Sequence, residues 1–289
     1  MMQFIKMQGA GNDYIYVNCF DERFAGDPGQ VAREISDRHF GVGGDGLVLI
    51  HPSQQADARM QMFNADGSEA EMCGNAIRCV AKYLYEEDIV PKQKMTIETA
   101  CENLSLELQA EKKQVCSVRV DMGRPILEAE KIPTVLAGDP VVDQRITLKN
   151  TSGETQELRV TCVSMGNPHC VIFVDHAIDK LVLGIGPLIE RDERFPKRTN
   201  VEFVEVLNRH HVRQRTWERG SGETLACGTG ASAVCVAGVL TDRTERKITN
   251  QLLGGNLEIE WAEDDHVYMT GPAVEVFRGE WNIPDGLRK

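Results

Sequence analysis

The chain has 289 residues, a formal net charge of −12 and 42% hydrophobic residues. This length suffices for one large domain or two ordinary ones. No stretch reaches the roughly 18 apolar residues of a membrane span, and the first residues lack the features of a signal peptide. We therefore expect a cytoplasmic protein without membrane contacts. The acidic balance also argues against nucleic acid as a partner, because phosphate binding needs a concentrated positive surface.

The predicted elements are mostly strands, because short runs of alternating apolar and polar residues recur along the chain. In chain order the strands are FIKM, YIYV, GLVLI, ARMQMF, MTIET, LSLEL, CSVRV, ELRVTCV, VIFV, VEFVEV, VRQRTW, LEIEW and VEVF. Helical patterns occur at PGQVAREISDRH, NAIRCVAKYLYEE, VLGIGPLIERDER and TGASAVCVAGVLTD. Many strands with few helices favour an α+β fold over a parallel βαβ fold.

Two Cys-Gly pairs, at Cys73 and Cys227, each precede a predicted helix and lie 154 residues apart. At nearly the same offset an ordered series of further residues matches: Phe63 with Trp217, Asn64 with Glu218, Gly74 with Gly228, and Gly11-Asn12 with Gly166-Asn167. The series predicts two pseudo-symmetric, internally duplicated α/β domains, each with mostly antiparallel strands around a central helix. Accidental similarity among turns rich in glycine and asparagine is the alternative.

Nine cysteines in a chain without a secretory signal predict reduced thiols rather than a disulfide framework. The spacings C-x-x-C, H-x-x-x-H and H-E-x-x-H do not occur, and GVGGDG lacks the helix expected of a dinucleotide motif. We therefore expect neither a metal nor an organic cofactor. For the cysteines without a repeat partner we expect buried, inert side chains; these are Cys19, Cys79, Cys101, Cys116, Cys162, Cys170 and Cys235.

The positions of Cys73 and Cys227 at helix starts indicate acid–base chemistry. Unpaired backbone N–H groups and the helix dipole favour negative charge there, so we expect the pKa of each thiol to fall below its usual value of about 8.5. One thiolate and one thiol could invert a stereocentre beside a carboxylate, since one removes the α-proton and the other supplies a proton from the opposite face. For a single Cys-Gly pair, a buried structural thiol is the alternative.

Polar residues near these motifs could hold an amino acid. Four asparagines, at positions 12, 64, 167 and 200, end strand-like runs, where either a binding role or a simple turn role fits. Glu218 offers an anion for an ammonium group and Arg219 a fork for a carboxylate, although a surface ion pair is the ordinary alternative. His169 either touches a substrate or caps a strand, and the second interpretation is slightly favoured.

The segments QGAGNDY, FNADGSEAEMCGNAIRC, MGNPHCVIF, NVEFV and ERGSGETLACGTGASA resemble the signatures of the diaminopimelate epimerase family, in the family's order over nearly the whole chain. The resemblance implies a cofactor-independent, PLP-independent isomerase that interconverts LL- and meso-diaminopimelate in lysine and peptidoglycan-precursor biosynthesis. It also implies a homodimer, with domains at residues 1–126 plus 275–289 and at 127–274, an active site in the cleft between them, and a last strand that returns to the first domain.

Carried over position by position, the resemblance implies that Cys73 and Cys227 are the acid–base pair. The reacting carboxylate would bind backbone N–H groups of Gly74, Asn75, Gly228 and Thr229. The reacting ammonium would bind Asn64 and Glu218, and the distant amino-acid end would bind Asn12, Asn167, Asn200 and Arg219. Some family members have glutamine where this chain has Gly46, so a contact to the distant end is expected to be missing or replaced by water.

Three alternatives stay open. Another two-cysteine racemase, similar to proline racemase, would use the same chemistry, but those enzymes resemble MCGH where this chain has MCGN. Phenazine-biosynthesis isomerases and hydroxyproline dehydratases each lack one of the two cysteines that this chain retains. A thiol–disulfide protein could use Cys73 and Cys227. An amino-acid-binding module without turnover would leave the duplicated thiols unexplained.

Overall fold

The structure is a computed structural model that describes residues 1–21, 23–70, 72–149, 153 and 155–287. The chain divides into two compact units, Met1–Val120 with Thr270–Lys289, and Asp121–Met269. The domain limits that the sequence predicts, after residues 126 and 274, stay a prediction. Among the helices that the structure describes, none is long and apolar enough to span a membrane.

Strands make up most of both units. Those of the first unit are β1 (Met2–Gly9), β2 (Asn12–Asn18), β3 (Gly46–His51), β4 (Ala58–Asn64), β5 (Glu69–Ala70), β6 (Lys94–Glu98), β7 (Asn103–Glu111) and β8 (Gln114–Asp121). The next strands are β9 (Gln144–Lys149), β10 (Thr155–Ser164), β11 (Pro168–Phe173), β12 (Asn200–Asn208), β13 (His211–Glu218), β14 (Gly222–Thr224), β15 (Lys247–Leu252), β16 (Gly255–Trp261) and β17 (Val267–Gly271), before β18 (Val274–Trp281) returns to the first unit.

The helices are fewer and two of them are long. They are α1 (Pro28–Ser36), α2 (Gly74–Glu86), α3 (Asp179–Val182), α4 (Gly186–Glu190) and α5 (Gly228–Leu240), and a 3₁₀ turn covers Asp285–Leu287. Helix α1 begins where its sequence predicts, because the Asp27 carboxylate accepts a hydrogen bond from Gln30 N at 3.1 Å and Pro28 opens the first turn.

Both units pair their strands in the same order. In the first, β2 runs parallel to β3, β3 antiparallel to β4, and β4 lies antiparallel to β5 and parallel to β6. In the second, β11 runs parallel to β12, β12 antiparallel to β13, and β13 lies antiparallel to β14 and parallel to β15. The equivalent preceding strands, β1 and β10, pair antiparallel with β2 and β11. The predicted internal duplication is therefore confirmed, and α2 and α5 occupy equivalent places in the order.

The two equivalent helices differ in burial because their side chains differ in size. Helix α2 packs on β1, β2, β6 and β7, and keeps a partly exposed side at Tyr83, Tyr85 and Glu86. Helix α5, with the sequence GTGASAVCVAGVL, is buried over nearly its whole length against β10, β11, β12, β15 and β16. Small side chains let strands surround α5 closely, and this brings polar strand residues near its first turn.

The predicted strands are confirmed, and one predicted helix is wrong. The pattern from Val182 to Arg194 predicts a single helix, but α3 ends at Val182 and α4 covers only five residues. Glycine at 184 lies where a Cβ would be 2.4 Å from Lys180 O, and Pro187 fits only the first turn of a helix. Local backbone restrictions therefore outweigh the apolar periodicity.

All nine cysteines are reduced thiols. Five of the seven expected in the core are buried, namely Cys19, Cys79, Cys162, Cys170 and Cys235. The expectation is wrong for Cys101 and Cys116, which are exposed. Cys101 lies in the connection from β6 to β7, and Cys116 occupies an outward position of β8 next to the buried Val115.

Glycine at position 46 is required by the packing of the first unit. A Cβ on Gly46 would lie 2.0 Å from Phe63 O and 2.7 Å from Tyr14 Cε1. The ring of Tyr14 therefore takes the space that a side chain at 46 would need. A glutamine, as in some members of the resembling family, does not fit this backbone arrangement.

We expect Gly46→Ala to lower the free energy of unfolding by about 3 kcal/mol, since β3 or the Tyr14 ring must move to relieve the overlap. Urea unfolding followed by circular dichroism measures the change. Gly286→Ala is the matched control, because a Cβ there meets no atom within 4 Å. Equal stabilities of the two variants would contradict the packing argument.

Candidate functional site

Cys73 is the residue immediately before α2. Its backbone is extended, with φ −142° and ψ 114°, as is usual for the residue that precedes a helix. Its Sγ donates a hydrogen bond to Asn12 Oδ1 at 3.2 Å. Because a carbonyl oxygen only accepts, this contact favours the protonated thiol.

Asn12 is oriented by the carboxylate of Asp45, which no sequence motif marks. Its Nδ2 donates to Asp45 Oδ2 at 2.6 Å, and the same oxygen accepts from Asp13 N at 3.1 Å. Arg38 donates to Asp45 Oδ1 at 2.9 Å and to both oxygens of Asp13. Asp45 thereby fixes which end of the Asn12 amide faces Cys73.

The first turn of α2 is held from within the helix by Arg78, which is fully buried. Its NH1 donates to Gly74 O and to Asn75 Oδ1, both at 3.0 Å, and its Nε donates to Pro272 O at 3.1 Å. Strand β1 approaches this turn closely, since a Cβ on Gly9 would lie 2.9 Å from Asn75 O. Gly74 and Asn75 therefore occupy a rigid helix start beside Cys73.

Asn64 ends β4 in the turn that leads to β5. Its Nδ2 donates to Ser68 Oγ at 3.0 Å and its backbone N donates to Ser68 O at 2.8 Å. The side chain is partly exposed. The predicted position at a strand end is confirmed, and the turn accounts for the contacts that Asn64 makes.

Cys227 is the residue before α5 and is only 6% exposed. Its Sγ lies 3.5 Å from Thr229 Oγ1. Glu218 ends β13, and its Oε1 accepts from Thr224 Oγ1 at 2.5 Å. Two residues predicted for the site, Cys227 and Thr229, are therefore in contact, and the charge of the third, Glu218, acts on the Cys227 thiol.

The expected lowering of the thiol pKa is wrong for Cys227. Burial raises its pKa well above the usual value, and the nearby Glu218 and Glu202 carboxylates raise it further. The Thr229 hydroxyl and the Gly230 backbone N–H act in the opposite direction but are outweighed. Burial likewise raises the pKa of Glu218, so a proton is retained readily by this pair of side chains.

His169 does not cap a strand, in contrast to the favoured interpretation. It lies inside β11 with no exposed surface, and Nδ1 is 2.8 Å from Glu202 Oε1 while Nε2 is 3.0 Å from Asn167 Oδ1. Asn167 precedes β11, and its Nδ2 donates to Thr229 Oγ1 at 3.3 Å. The buried His169 side chain therefore orients the amide of Asn167.

Asn200 begins β12 and links two backbone segments. Its Nδ2 donates to Pro168 O at 3.1 Å, and its Oδ1 accepts from Arg219 N at 2.8 Å. The Arg219 side chain is exposed and donates to Lys197 O at 3.1 Å. Asn200 thus fixes the backbone of the turn from which Arg219 extends into solvent.

Glu190 binds the same turn, and the sequence did not predict this role. Its carboxylate accepts from Trp217 Nε1 at 3.0 Å, from Gly220 N at 2.9 Å and from Arg198. Trp217 and Gly220 flank Glu218 and Arg219, so Glu190 holds both ends of the functional pair. No motif or spacing marks Glu190, since its role depends on α4 packing beside β13.

The other missed residues carry weak sequence signals. Arg78 lies four positions after Gly74, on the face of α2 that is buried, and Glu202 is an inward position of VEFVEV. A charged residue at a buried position of a periodic pattern is unusual enough to mark a functional candidate. Within the part of the chain that the structure describes, histidine, cysteine and carboxylate side chains form no cluster that could hold a metal ion.

Comparison with known proteins identifies relatives over nearly the full length. The family model described as diaminopimelate epimerase matches residues 4–128 and 161–276. The diaminopimelate epimerase of Moorella thermoacetica is 53% identical over 283 residues, which cover 98% of this chain and 100% of that protein.

Two solved structures share the architecture. A phenazine biosynthesis protein of the PhzF family from Bacillus anthracis has a TM-score of 0.69 at 15% identity, covering 98% of this chain and 99% of that one. A probable proline racemase from Agrobacterium radiobacter has a TM-score of 0.69 at 15% identity, covering 98% and 94%. At this identity the two structures show the fold alone, and they confirm the predicted α+β class.

The Glu190 contacts predict a pH-dependent contribution to stability. Burial raises the pKa of Glu190, but the bonds from Trp217 and Gly220 and the charges of Arg198 and Arg191 outweigh it, so the pKa falls below 4.5. A lowered folded-state pKa means that the stabilisation is fully present above pH 4.5 and is lost as the pH falls through the folded-state value.

We therefore expect Glu190→Gln to lower the free energy of unfolding by about 2 kcal/mol at pH 7, because charged acceptors are replaced by a neutral one. At pH 3 the difference from the wild type should shrink. Urea unfolding at both pH values measures it, with the exposed Glu193→Gln as control. A difference that is the same at both pH values would contradict the linkage.

Proposed function

Since the chain belongs to the diaminopimelate epimerase family, we propose that it interconverts LL- and meso-2,6-diaminopimelate without a cofactor, in lysine and peptidoglycan-precursor biosynthesis. The observation that carries the proposal is the duplicated thiol. Cys73 and Cys227 directly precede equivalent helices in two units with the same strand order. The proposed chemistry needs no cofactor because two thiols supply both proton transfers.

In the proposed reaction one thiolate removes the α-proton and forms an S–H bond, while the C–H electron pair remains on the substrate. The other thiol then gives its proton to the α-carbon from the opposite face and becomes a thiolate. The reverse reaction exchanges the two roles. The hydrogen bond from Cys73 to Asn12 Oδ1 supports a protonated Cys73 in the state described by the structure.

We propose that the carboxylate on the reacting carbon binds the first backbone N–H groups of α2 and α5, at Gly74, Asn75, Gly228 and Thr229. Helix starts favour negative charge, and negative charge accumulates on this carboxylate as the proton leaves. The immobile first turn of α2, held by Arg78, supports this role because a preorganised donor needs no rearrangement during the reaction.

We propose that Asn64 and Glu218 bind the ammonium group of the reacting end. An ammonium beside Glu218 would favour the ionised carboxylate and would therefore offset the effect of burial on its pKa. The distant amino-acid end would bind Asn12, Asn167, Asn200 and Arg219. The exposed guanidinium of Arg219 is suited to the carboxylate of that end.

The thiol mechanism predicts proton exchange at carbon. Reduced protein with LL-diaminopimelate in D₂O should remove the α-proton signal in NMR spectra and produce meso product by chiral analysis. Cys73→Ala and Cys227→Ala should each lower the rate of epimerisation by a factor on the order of 10³, since each removes one proton-transfer group.

Cys101→Ala, at an exposed cysteine, is the matched control and should retain the wild-type rate. The substrate assignment would be contradicted if protein with titratable thiols gave neither exchange nor product. Exchange with proline derivatives in place of diaminopimelate would then favour a proline-racemase-like enzyme. Wild-type binding by Cys73→Ala, with no turnover by either protein, would favour a binding module.

We further propose that the protein is cytoplasmic and forms a homodimer, with domains at 1–126 plus 275–289 and at 127–274. Strand β18 supports the dimer, because three of its apolar side chains remain exposed: Val274 at 42%, Val276 at 54% and Phe277 at 46%. Several large apolar side chains exposed on one strand are typical of an association site.

If β18 is the contact, Val276→Glu should convert a dimer into a monomer, because a buried unpaired carboxylate opposes association. Light scattering after size-exclusion chromatography measures the mass. Val135→Glu, at a side chain that is 69% exposed in the other unit, should leave the mass unchanged. A dimer that persists in Val276→Glu would exclude β18 as the interface.

A further inference from the structure

Two buried cysteines that the proposed reaction does not use lie directly opposite each other in the second unit. Cys162 on β10 pairs with Cys170 on β11 in the antiparallel register. The hairpin between them turns at Gly166, whose positive φ of 91° suits glycine. Both cysteine side chains have no exposed surface and belong to one apolar core cluster. The fold therefore brings two thiols together at a place that no sequence motif marks.

The backbone hydrogen bonds of β10 show which kind of cross-strand pair the two cysteines form. Cys162 N donates to Val141 O at 3.0 Å, on the side of β10 that faces away from β11. The N–H and the C=O of one strand residue point to the same side, so Cys162 exchanges no backbone hydrogen bond with Cys170. Opposite Ser164, two residues further along β10, Pro168 has no N–H to donate, which agrees with this register. The two cysteines are therefore a non-hydrogen-bonded pair.

Pairs of this kind have the geometry that a disulfide needs. In a non-hydrogen-bonded antiparallel pair the Cα atoms lie about 4.5 Å apart, and the side chains are closer than in a hydrogen-bonded pair. A disulfide spans Cα atoms that are about 4.4–6.8 Å apart. An S–S bond can therefore form with little movement of either strand, and no hydrogen bond between β10 and β11 has to break.

We propose that Cys162 and Cys170 form a reversible disulfide by exchange with a low-molecular-weight disulfide, and that the bond stabilises the β10–β11 hairpin. The thiolate of one cysteine attacks the small disulfide, forms a mixed disulfide and displaces one small thiolate. The second cysteine loses its proton, attacks the protein sulfur of the mixed disulfide and displaces the other small thiolate. Two protein thiols are oxidised, one small disulfide is reduced to two thiols, and the two protons pass to these products.

Burial makes this exchange slow. It raises the pKa of the Cys170 thiol well above its usual value, and the neighbouring Cys162 raises it further. Little of the reactive thiolate therefore forms inside the core. Part of that core comes from α3 and α4, which have only four and five residues. Helices this short have little stability of their own, so local opening at α3 and α4 exposes the thiols while the sheet stays paired.

The pair is separate from the candidate functional site. Successive residues of a strand face opposite sides of the sheet, so Cys170 and His169 lie on opposite faces of β11. His169 shares its face with Glu202 and α5, since a Cβ on Gly230 of α5 would lie 2.7 Å from Glu202 Oε1. Oxidation of the pair therefore acts on the stability of the hairpin and leaves the acid–base groups in place.

The experiment incubates the complete, reduced protein with glutathione disulfide overnight, alkylates the remaining thiols with iodoacetamide and maps tryptic peptides by mass spectrometry without reduction. Cleavage after Arg159 and Lys180 leaves both cysteines in one peptide, residues 160–180. We expect this peptide to lose two hydrogen atoms and both alkylation sites, and dithiothreitol to restore them. The exposed Cys101 and Cys116 should carry glutathione, which shows that the oxidant was active.

The oxidised protein should unfold at a temperature about 5 °C higher than the reduced protein, because the bond restricts the unfolded chain. Cys162→Ala should abolish this rise, since it removes one of the two sulfurs. Cys235→Ala is the matched control at another buried cysteine of the same unit and should keep the rise. Calorimetry with and without dithiothreitol measures the difference.

The proposal would be overturned if the peptide 160–180 kept two alkylated thiols, or carried glutathione, after Cys101 and Cys116 had reacted. A cross-link without a rise in unfolding temperature, or a rise that persists in Cys162→Ala, would also overturn it. If Cys162→Ala does not fold, Cys170→Val, which places a β-branched residue in a strand, takes its place. The peptide result on the wild type depends on no variant and on no turnover, so it stands apart from the proposed epimerase activity.

Discussion

The backbone N–H groups at the start of a buried helix need an acceptor, and this requirement shapes both halves of the molecule. Most helices meet it with a serine, threonine or aspartate side chain, as α1 does with Asp27. Helices α2 and α5 instead begin after a cysteine whose side chain accepts no capping hydrogen bond. The first turns of α2 and α5 can therefore bind an anion, and the surrounding strands place polar side chains near these turns.

The two cysteines that precede these helices have different surroundings. Cys73 is partly exposed, whereas Cys227 is buried beside two carboxylates that raise its pKa. A thiol that is hard to ionise is protected from oxidation and unwanted nucleophilic attack, because the thiolate is the reactive form. Proton transfer needs the thiolate, so the effects that raise the pKa of Cys227 have to be offset when the substrate binds. An ammonium beside Glu218 would supply that offset, because it neutralises the charge that opposes the thiolate.

The sequence predicts the duplicated fold well because matching residues recur at nearly one offset at many positions. Asn64 and Glu218 end the equivalent strands β4 and β13, and Gly46 and Asn200 begin the equivalent strands β3 and β12, as the offset indicates. The break between α3 and α4 was not predicted, because helical periodicity does not register backbone crowding at Gly184. The direction of the Cys227 pKa shift was also predicted wrongly. The position of Cys227 before a helix can be read from the local sequence, but its burial among distant strands cannot.

The residues that orient the site were hardest to predict, and they are also where the two halves differ. Asn12 and Asn167 match in sequence, yet Asp45 binds the nitrogen of Asn12, whereas His169 binds the oxygen of Asn167. The oxygen of Asn12 therefore accepts from the Cys73 thiol, whereas the nitrogen of Asn167 donates to the Thr229 hydroxyl. The carboxylate of Asp45 sets the amide in one half and the buried His169 sets it in the other, so the duplicated motifs alone do not determine how the surroundings of each cysteine are arranged.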